Sequence, residues 1–415
     1  MQYLLNGGKK KTDRIEWIIS FLFVLSPILQ HHKGLYINGG WTALLLGLPL
    51  VLIQIVRHGI RINEKALIAF GLMALYQGYI ILDHGFSTGS LIRTFILMVY
   101  FFRFSEEGYE FRCLVSAAAF VSLAACAGLV AQYFSYYILS RKLQFLSVRT
   151  FLDENNRWAE RVSSLTKTSS FYRPSAFFME PSHMFIYSFP SALYFLFTPD
   201  LKKKARLIGM IIVGGILLST SGMGIVFSVG SMVAYYTMYK NPQYRKGSLL
   251  NFLMPKTMVI LTLALIILVY LYSHVDLVRR AVIRILFEDE TGYNALRGRT
   301  SAGKGMLSTM SGMQYLIGVT DAMGEDGTNM AGFQVTFYKY GLIGILLSYV
   351  YYLYGLARTR NCFQYLCLIL LVISFVCAHT HGTFYMVFYY AFISEGYKKK
   401  KERLQISRIL EVATG

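Results

Sequence analysis

The amino-acid sequence predicts an all-α, polytopic integral membrane protein, and three observations carry that expectation. Hydrophobic residues make up 55% of the 415 and charged residues 15%, whereas ordinary globular domains carry about 25% charge. Long apolar runs recur from end to end and are separated by charges, which is the pattern of successive membrane spans. The basic residues are concentrated in alternate connections, as the positive-inside rule requires. This composition excludes an ordinary soluble enzyme and a disordered chain. Residues 1–415 read as a single polytopic domain with no soluble catalytic domain appended.

The first span lies near 15–31, after the basic start MQYLLNGGKKKTDRIEW. The apolar stretch there lacks a small-residue cleavage site, so a retained helix is expected rather than a signal peptide. Spans near 41–57 and 65–83 follow, bounded by Arg57, Arg61 and Lys65. The fourth, 91–103, is short and carries Arg93 near its start; the fifth, 112–140, is long enough to tilt or to project from the bilayer. After a long connection, 182–199, 205–219 and 222–240 succeed one another across short turns. The ninth span is 256–274, and a second long connection precedes 331–356, 364–379 and 382–397. The expectation is therefore about twelve spans, closed by a basic tail at 397–415.

The formal net charge is +19. In a membrane protein such an excess sets orientation first, and nucleic-acid binding is not indicated. With the amino terminus inside, 25 of the 41 Lys and Arg residues fall on inner segments, among them Lys9 to Lys11, Lys202 to Lys204, Arg358 and Lys398 to Lys401. The short outer turns hold just Lys33 and Arg93, so both termini are expected on the cytoplasmic side. Lys339 sits inside a span. The other thirteen bases lie on two long outer segments, 141–181 and 275–330, which long loops tolerate because they are translocated regardless of charge. Loops of that length are commonly functional, which makes the outer face the expected working face. The five cysteines fall in or beside apolar spans with no CxxC pair, so neither disulfides nor a zinc site is indicated.

Two outer segments carry the candidate chemistry. The first ends in TSSFYRPSAFFMEPSHMFIY, where Arg173, Glu180 and His183 gather within eleven residues at the mouth of the sixth span. Pro181 suits a first helical turn, which sets Glu180 at the positive end of the helix dipole. Helix capping by Glu180, a headgroup-facing His183 and a snorkelling Arg173 form the alternative reading. The second segment sets Arg297, Arg299 and Lys304 among Gly298, Ser301 and Gly303, a composition suited to phosphate oxygens, although the acids nearby can also pair these bases. No P-loop is present, and the acids lack metal-ligand spacing. The turn Ser219-Thr220-Ser221-Gly222 either packs helices closely or offers donors to a ligand. His379 and His381 have no third ligand nearby in sequence and read as interfacial.

Several motifs, in order, resemble the Wzy polymerase and O-antigen ligase superfamily of bacterial surface-polysaccharide enzymes. They are Arg173-Pro174-Ser175-Ala176-Phe177-Phe178-Met179-Glu180-Pro181, the Ser219–Gly222 turn, Arg299 followed by Leu316-Ile317-Gly318-Val319, and Tyr340-Gly341-Leu342-Ile343-Gly344. The resemblance implies a metal-independent glycan polymerase of the bacterial cytoplasmic membrane, without cofactor, in which an undecaprenyl-pyrophosphate-linked oligosaccharide is the donor at the outer face. The lipid bilayer is its medium, and a flippase and a chain-length regulator are its expected protein partners. Ligases of the superfamily carry a His-Asn pair before the Gly-rich span; here the place reads Thr328-Asn329, which favours polymerase over ligase. By the same resemblance Arg173, Arg297 and Arg299 are expected to bind the pyrophosphate and stabilise its charge as it leaves, with Glu180 and then His183 as candidates for the base. The rival class is a lipid-oligosaccharide flippase or transporter, which would line its path with intramembrane polar residues and often show repeated halves. The spans here are largely uncharged and no repeat is evident.

Overall fold

The computed structural model describes residues 14–30, 38–59, 88–106, 108–141, 174–178, 180–198, 203–240, 304–319, 331–359, 362–377 and 384–396. It adds isolated positions between 68 and 79, at 143 and 201, between 266 and 283, and at 398. The described elements are helices: α1 (Arg14–Leu29), α2 (Gly39–His58), α3 (Thr88–Ser105), α4 (Phe111–Tyr137), α5 (Pro181–Phe197), α6 (Lys203–Leu218) and α7 (Gly222–Lys240). They continue with the single turn α8 (Gln314–Ile317), then α9 (Gly332–Arg358), α10 (Cys362–Val376) and α11 (384–396). Among the described residues, three helices are long and apolar enough to cross a membrane: Gly39–Arg57, Phe111–Tyr137 and Gly332–Arg358. Shorter apolar helices run over Phe95–Ser105, Gly222–Tyr236 and Phe363–Val376. The described residues are thus all-helical, with apolar helices of the kind a membrane protein requires.

The chain packs into two compact units, each drawn from two stretches of sequence. One is built from 1–59 and 109–240, the other from 60–108 and 241–415.

In the first unit α4 is the hub, packed against α1, α5 and α6. Its run of small residues, Ser116 to Ala119 and then Ser122 and Ala125, is buried and admits neighbouring backbones closely. The tightest approach is at Gly215 of α6, where an added Cβ would lie 2.2 Å from the Cys126 sulfur. Polar side chains tie the helices across apolar faces. The Tyr187 hydroxyl of α5 donates to the Val24 carbonyl of α1 at 2.9 Å, and Ser20 shares a 2.7 Å hydrogen bond with Tyr109. Ring contacts Phe185–Phe227 and Phe197–Tyr235 advance together along both chains, so α5 and α7 run in the same direction.

In the second unit α9 packs against α10 and receives α8. Tyrosine hydroxyls bind α11 to this pair: Tyr390 donates to the Ser348 carbonyl at 3.0 Å, and Tyr351 shares a 2.7 Å bond with Ser394. Phe101 of α3 sets its ring edge-on to Tyr351 and Tyr390. At the end of α3, Arg103 is 1% exposed and forms an ion pair with Glu106, whose carbonyl also receives the Lys398 ammonium. The Arg103 charge is thus buried and locally neutralised, because an unpaired guanidinium at that depth would be costly.

Candidate functional site

The motif Pro174 to Phe178 folds as a turn held by the end of α4. The Phe178 N–H donates to the Ser175 carbonyl at 2.9 Å, and the Ser175 hydroxyl donates to the Phe178 carbonyl at 2.6 Å. This places Ala176 in the left-handed region, at φ 53°. Gln132 of α4, itself buried, grips Ala176 from both sides. Its amide nitrogen donates to the Ala176 carbonyl at 3.2 Å, and its amide oxygen accepts from the Ala176 N–H at 2.8 Å. The same nitrogen donates to the Leu143 carbonyl at 3.0 Å. One glutamine thus satisfies the backbone of a strained turn and anchors the chain that leaves α4. Gln132→Ala leaves two buried backbone groups without these partners, so the purified protein should lose about 1–3 kcal/mol of stability. The change should appear as a lower thermal midpoint and as lost hydrogen-exchange protection at Ala176. Gln132→Glu keeps an acceptor for the N–H but sets a carboxylate oxygen against the Ala176 and Leu143 carbonyls, so it should cost at least as much as Gln132→Ala.

Two residues further on, Glu180 takes the N-cap position of α5 in extended backbone, with Pro181 in the first turn. Its carbonyl accepts from the N–H groups of His183 and Met184, so the helix begins on its main chain. The carboxylate makes no capping bond; it accepts from the Ser182 hydroxyl at 3.1 Å and is partly exposed. The capping reading of this side chain is thereby replaced. His183, 9% exposed, is buried within the first turn of α5 rather than turned toward headgroups. The Ser219–Gly222 turn lies at the same end of the unit, since an added Cβ on Gly224 would sit 3.4 Å from the Phe185 Cβ. Ser219 donates to the Ile216 carbonyl at 2.7 Å, and the Ser221 hydroxyl accepts from the Gly224 N–H at 3.3 Å. Both hydroxyls therefore serve the ends of α6 and α7, as a close interhelical turn requires. Thr220 between them is buried at φ 55°.

An apolar groove runs along the last turns of α4, lined by Ala127, Val130, Ala131, Phe134 and Leu139, with exposed Arg141 at its end. Ser135 donates to the Arg141 carbonyl at 2.9 Å and so fixes where the chain turns away.

In the second unit, two of the sequence motifs meet. Gly318, at φ 89°, lies against Lys339 and Tyr340, and Gly341, at φ 60° and ψ −163°, lies against Leu316 and Gly318. The Val319 N–H donates to the Tyr338 carbonyl at 2.7 Å. The span read as one continuous helix at 331–356 is broken at Gly341, where the backbone of 316–319 comes up against it. No side chain fits there: a Cβ on Gly341 would be 2.3 Å from the Leu316 oxygen.

Arg173, Arg297 and Arg299 lie outside the described residues, as do Thr328-Asn329, His379 and His381. Of the candidate site residues, Glu180 and His183 are described, at the N-cap and in the first turn of α5, where their backbones are joined by the His183 N–H to Glu180 carbonyl bond at 3.0 Å. Sequence reasoning missed Gln132 and the 316–319 joint, and it took Arg141 only as one of the thirteen bases on the two long connections. The signal for Gln132 was a lone amide in an otherwise apolar span. It also missed a cluster at the starts of α1 and α4, where Glu16, Glu110 and Cys113 offer ligand atoms within 4.8 Å of one another. Its visible work is capping, for the Glu16 carboxylate accepts from the Glu110 N–H at 3.2 Å. No model of a known protein family matches the chain, and no curated protein sequence does.

Proposed function

We propose that this protein is a Wzy-like repeat-unit polymerase for a surface, capsular or exopolysaccharide. It spans the bacterial cytoplasmic membrane about twelve times with both termini inside. It transfers an undecaprenyl-pyrophosphate-linked oligosaccharide to a lipid-linked acceptor at the outer face. The observation that carries this reading is the end of the first unit, where a carboxylate not used for capping, that of Glu180, stands at a helix mouth beside buried His183. An apolar groove ending in Arg141 lies in the same unit and suits a polyprenyl chain. The order of the sequence motifs, and the packing of Leu316–Val319 against Tyr338–Gly341, give further support.

The chemistry is a displacement at an anomeric carbon. The acceptor hydroxyl oxygen forms the new C–O bond as its proton passes to a base, and the bond to the lipid pyrophosphate breaks with its electron pair on the leaving oxygen. Glu180 is assigned as base, with His183 the second choice. Arg173, Arg297 and Arg299 are assigned to the charge that grows on the departing pyrophosphate, where planar guanidinium forks contact two oxygens at once. Inversion follows if the displacement is direct.

The test uses cells lacking the gene and the purified protein in proteoliposomes. Loss of the gene should remove long chains while lipid-linked single repeat units persist on the outer leaflet, and the purified protein should join such units. If the units collect on the inner leaflet and the purified protein cannot join them, the protein is a transporter and the polymerase reading falls.

A further inference from the structure

The helix α9 is of membrane-crossing length, yet it carries a charge and a break two residues apart. Lys339 is the seventh residue after Gly332, about 10 Å along the axis at 1.5 Å per residue. It is partly buried, and among the described residues no carboxylate or other side chain pairs with it. At Gly341 the helical backbone is interrupted, and Gly318 and Val319 come up beside Tyr338 and Lys339. That segment belongs to the connection 275–330, where exposed Lys304 opens a helical turn at 304–307. Arg358 occupies the last turn of α9, and in the topology proposed above that end is inner, which sets Lys339 in the half of α9 nearer the outer face.

An ammonium inside a membrane helix is costly unless an anion or water compensates it, and such residues face partners or ligands rather than lipid tails. Helices broken within the membrane are found at binding sites. Here the Tyr338 carbonyl at the break already accepts from the Val319 N–H, which leaves the Lys339 ammonium as the group for a polar ligand. We propose that Lys339, at the break sealed by Gly318 and Gly341, binds the phosphate of a lipid that enters laterally from the outer leaflet. The phosphate chemistry stands on Lys339 and the broken helix alone. The assignment of that lipid as the polyprenyl pyrophosphate donor rests on the function proposed above.

The experiment measures binding of undecaprenyl pyrophosphate to the full-length protein in nanodiscs by native mass spectrometry, with and without phosphatidylglycerol. Wild-type protein should bind it, Lys339→Met should weaken binding by about tenfold or more, as expected for one charge-assisted contact, and Lys339→Arg should restore most of it. Hydrogen-exchange protection at Val319 reports whether the joint survives in each variant, and Lys339→Gln provides a second neutral variant if Lys339→Met perturbs it. Equal affinity in the wild type and a neutral variant with an intact joint overturns the site. Displacement by phosphatidylglycerol at equal concentration shows a bulk headgroup to be the ligand and overturns the donor assignment. Lys339-dependent binding in a protein that joins no repeat units leaves the site standing and removes the polymerase reading instead.

Discussion

Under the function proposed above, Glu180→Gln should leave lipid-linked repeat units bound but unjoined, with chain formation reduced about a hundredfold or more at matched membrane abundance, the usual scale for losing a general base. Glutamine keeps the length of the side chain and can still accept from the Ser182 hydroxyl, as the carboxylate does at 3.1 Å. The start of α5 should be untouched, because the bonds that begin it come from the Glu180 main chain. What the substitution removes is basicity. The measurement pairs chain-length analysis in membranes with binding of the lipid-linked donor. A kcat loss with unchanged donor affinity assigns an interaction made in the transition state. Near wild-type chain formation would show that Glu180 is not the base, and His183→Ala would then be the substitution to make.

Gly341→Ala should undo the joint between α9 and the segment before it. The backbone there, at φ 60° and ψ −163°, lies in a region that is essentially restricted to glycine. A Cβ would also stand 2.3 Å from the Leu316 oxygen and 2.6 Å from the Gly318 nitrogen, and main-chain atoms cannot rotate aside as a flexible side chain can. Strain and overpacking together amount to about 2–5 kcal/mol, enough to favour undocking over distortion. The Val319 amide, which donates to Tyr338 in the native joint, should lose its hydrogen-exchange protection. Gly318→Ala meets Lys339 and Tyr340 backbone at 2.3–2.4 Å and should do the same, and the double substitution should cost little more than either single one. Gly214→Ala and Gly230→Ala, helical positions where a Cβ meets nothing within 4 Å, should be tolerated. Unchanged protection at Val319 in Gly341→Ala would dispose of the argument.

Hydrophobic runs announced the helices well because burial in lipid or protein needs the same apolar stretch. The runs at 41–57, 112–140 and 222–240 lie over Gly39–His58, Phe111–Tyr137 and Gly222–Lys240. The helix start at Pro181 was legible from proline chemistry, and the Ser219–Gly222 turn from its small residues. Spans 65–83 and 256–274 fall mostly outside the described residues. The break in α9 was not legible: a glycine within an apolar run looks the same whether the helix continues or another backbone lies against it. Tyr340-Gly341 and Ile317-Gly318 each looked like an isolated weak motif, and their meaning lies in the contact between them. Gln132 was passed over for a related reason, since a partner at Ala176, 44 residues away, leaves no local trace. The burial of Arg103 was not legible, because orientation rules weigh position along the chain and not depth.

The local pairing of Arg103 with Glu106 also bears on how the protein is made. Lys398, which donates to the Glu106 carbonyl, is synthesised 292 residues after it. At about 5–20 residues per second, α3 must therefore wait roughly 15–60 s for that contact and for α11. During that interval a guanidinium alone at the end of a short apolar helix would pull the segment back toward water. Its partner is three positions away, so the nascent helix can neutralise the charge before any distant partner exists.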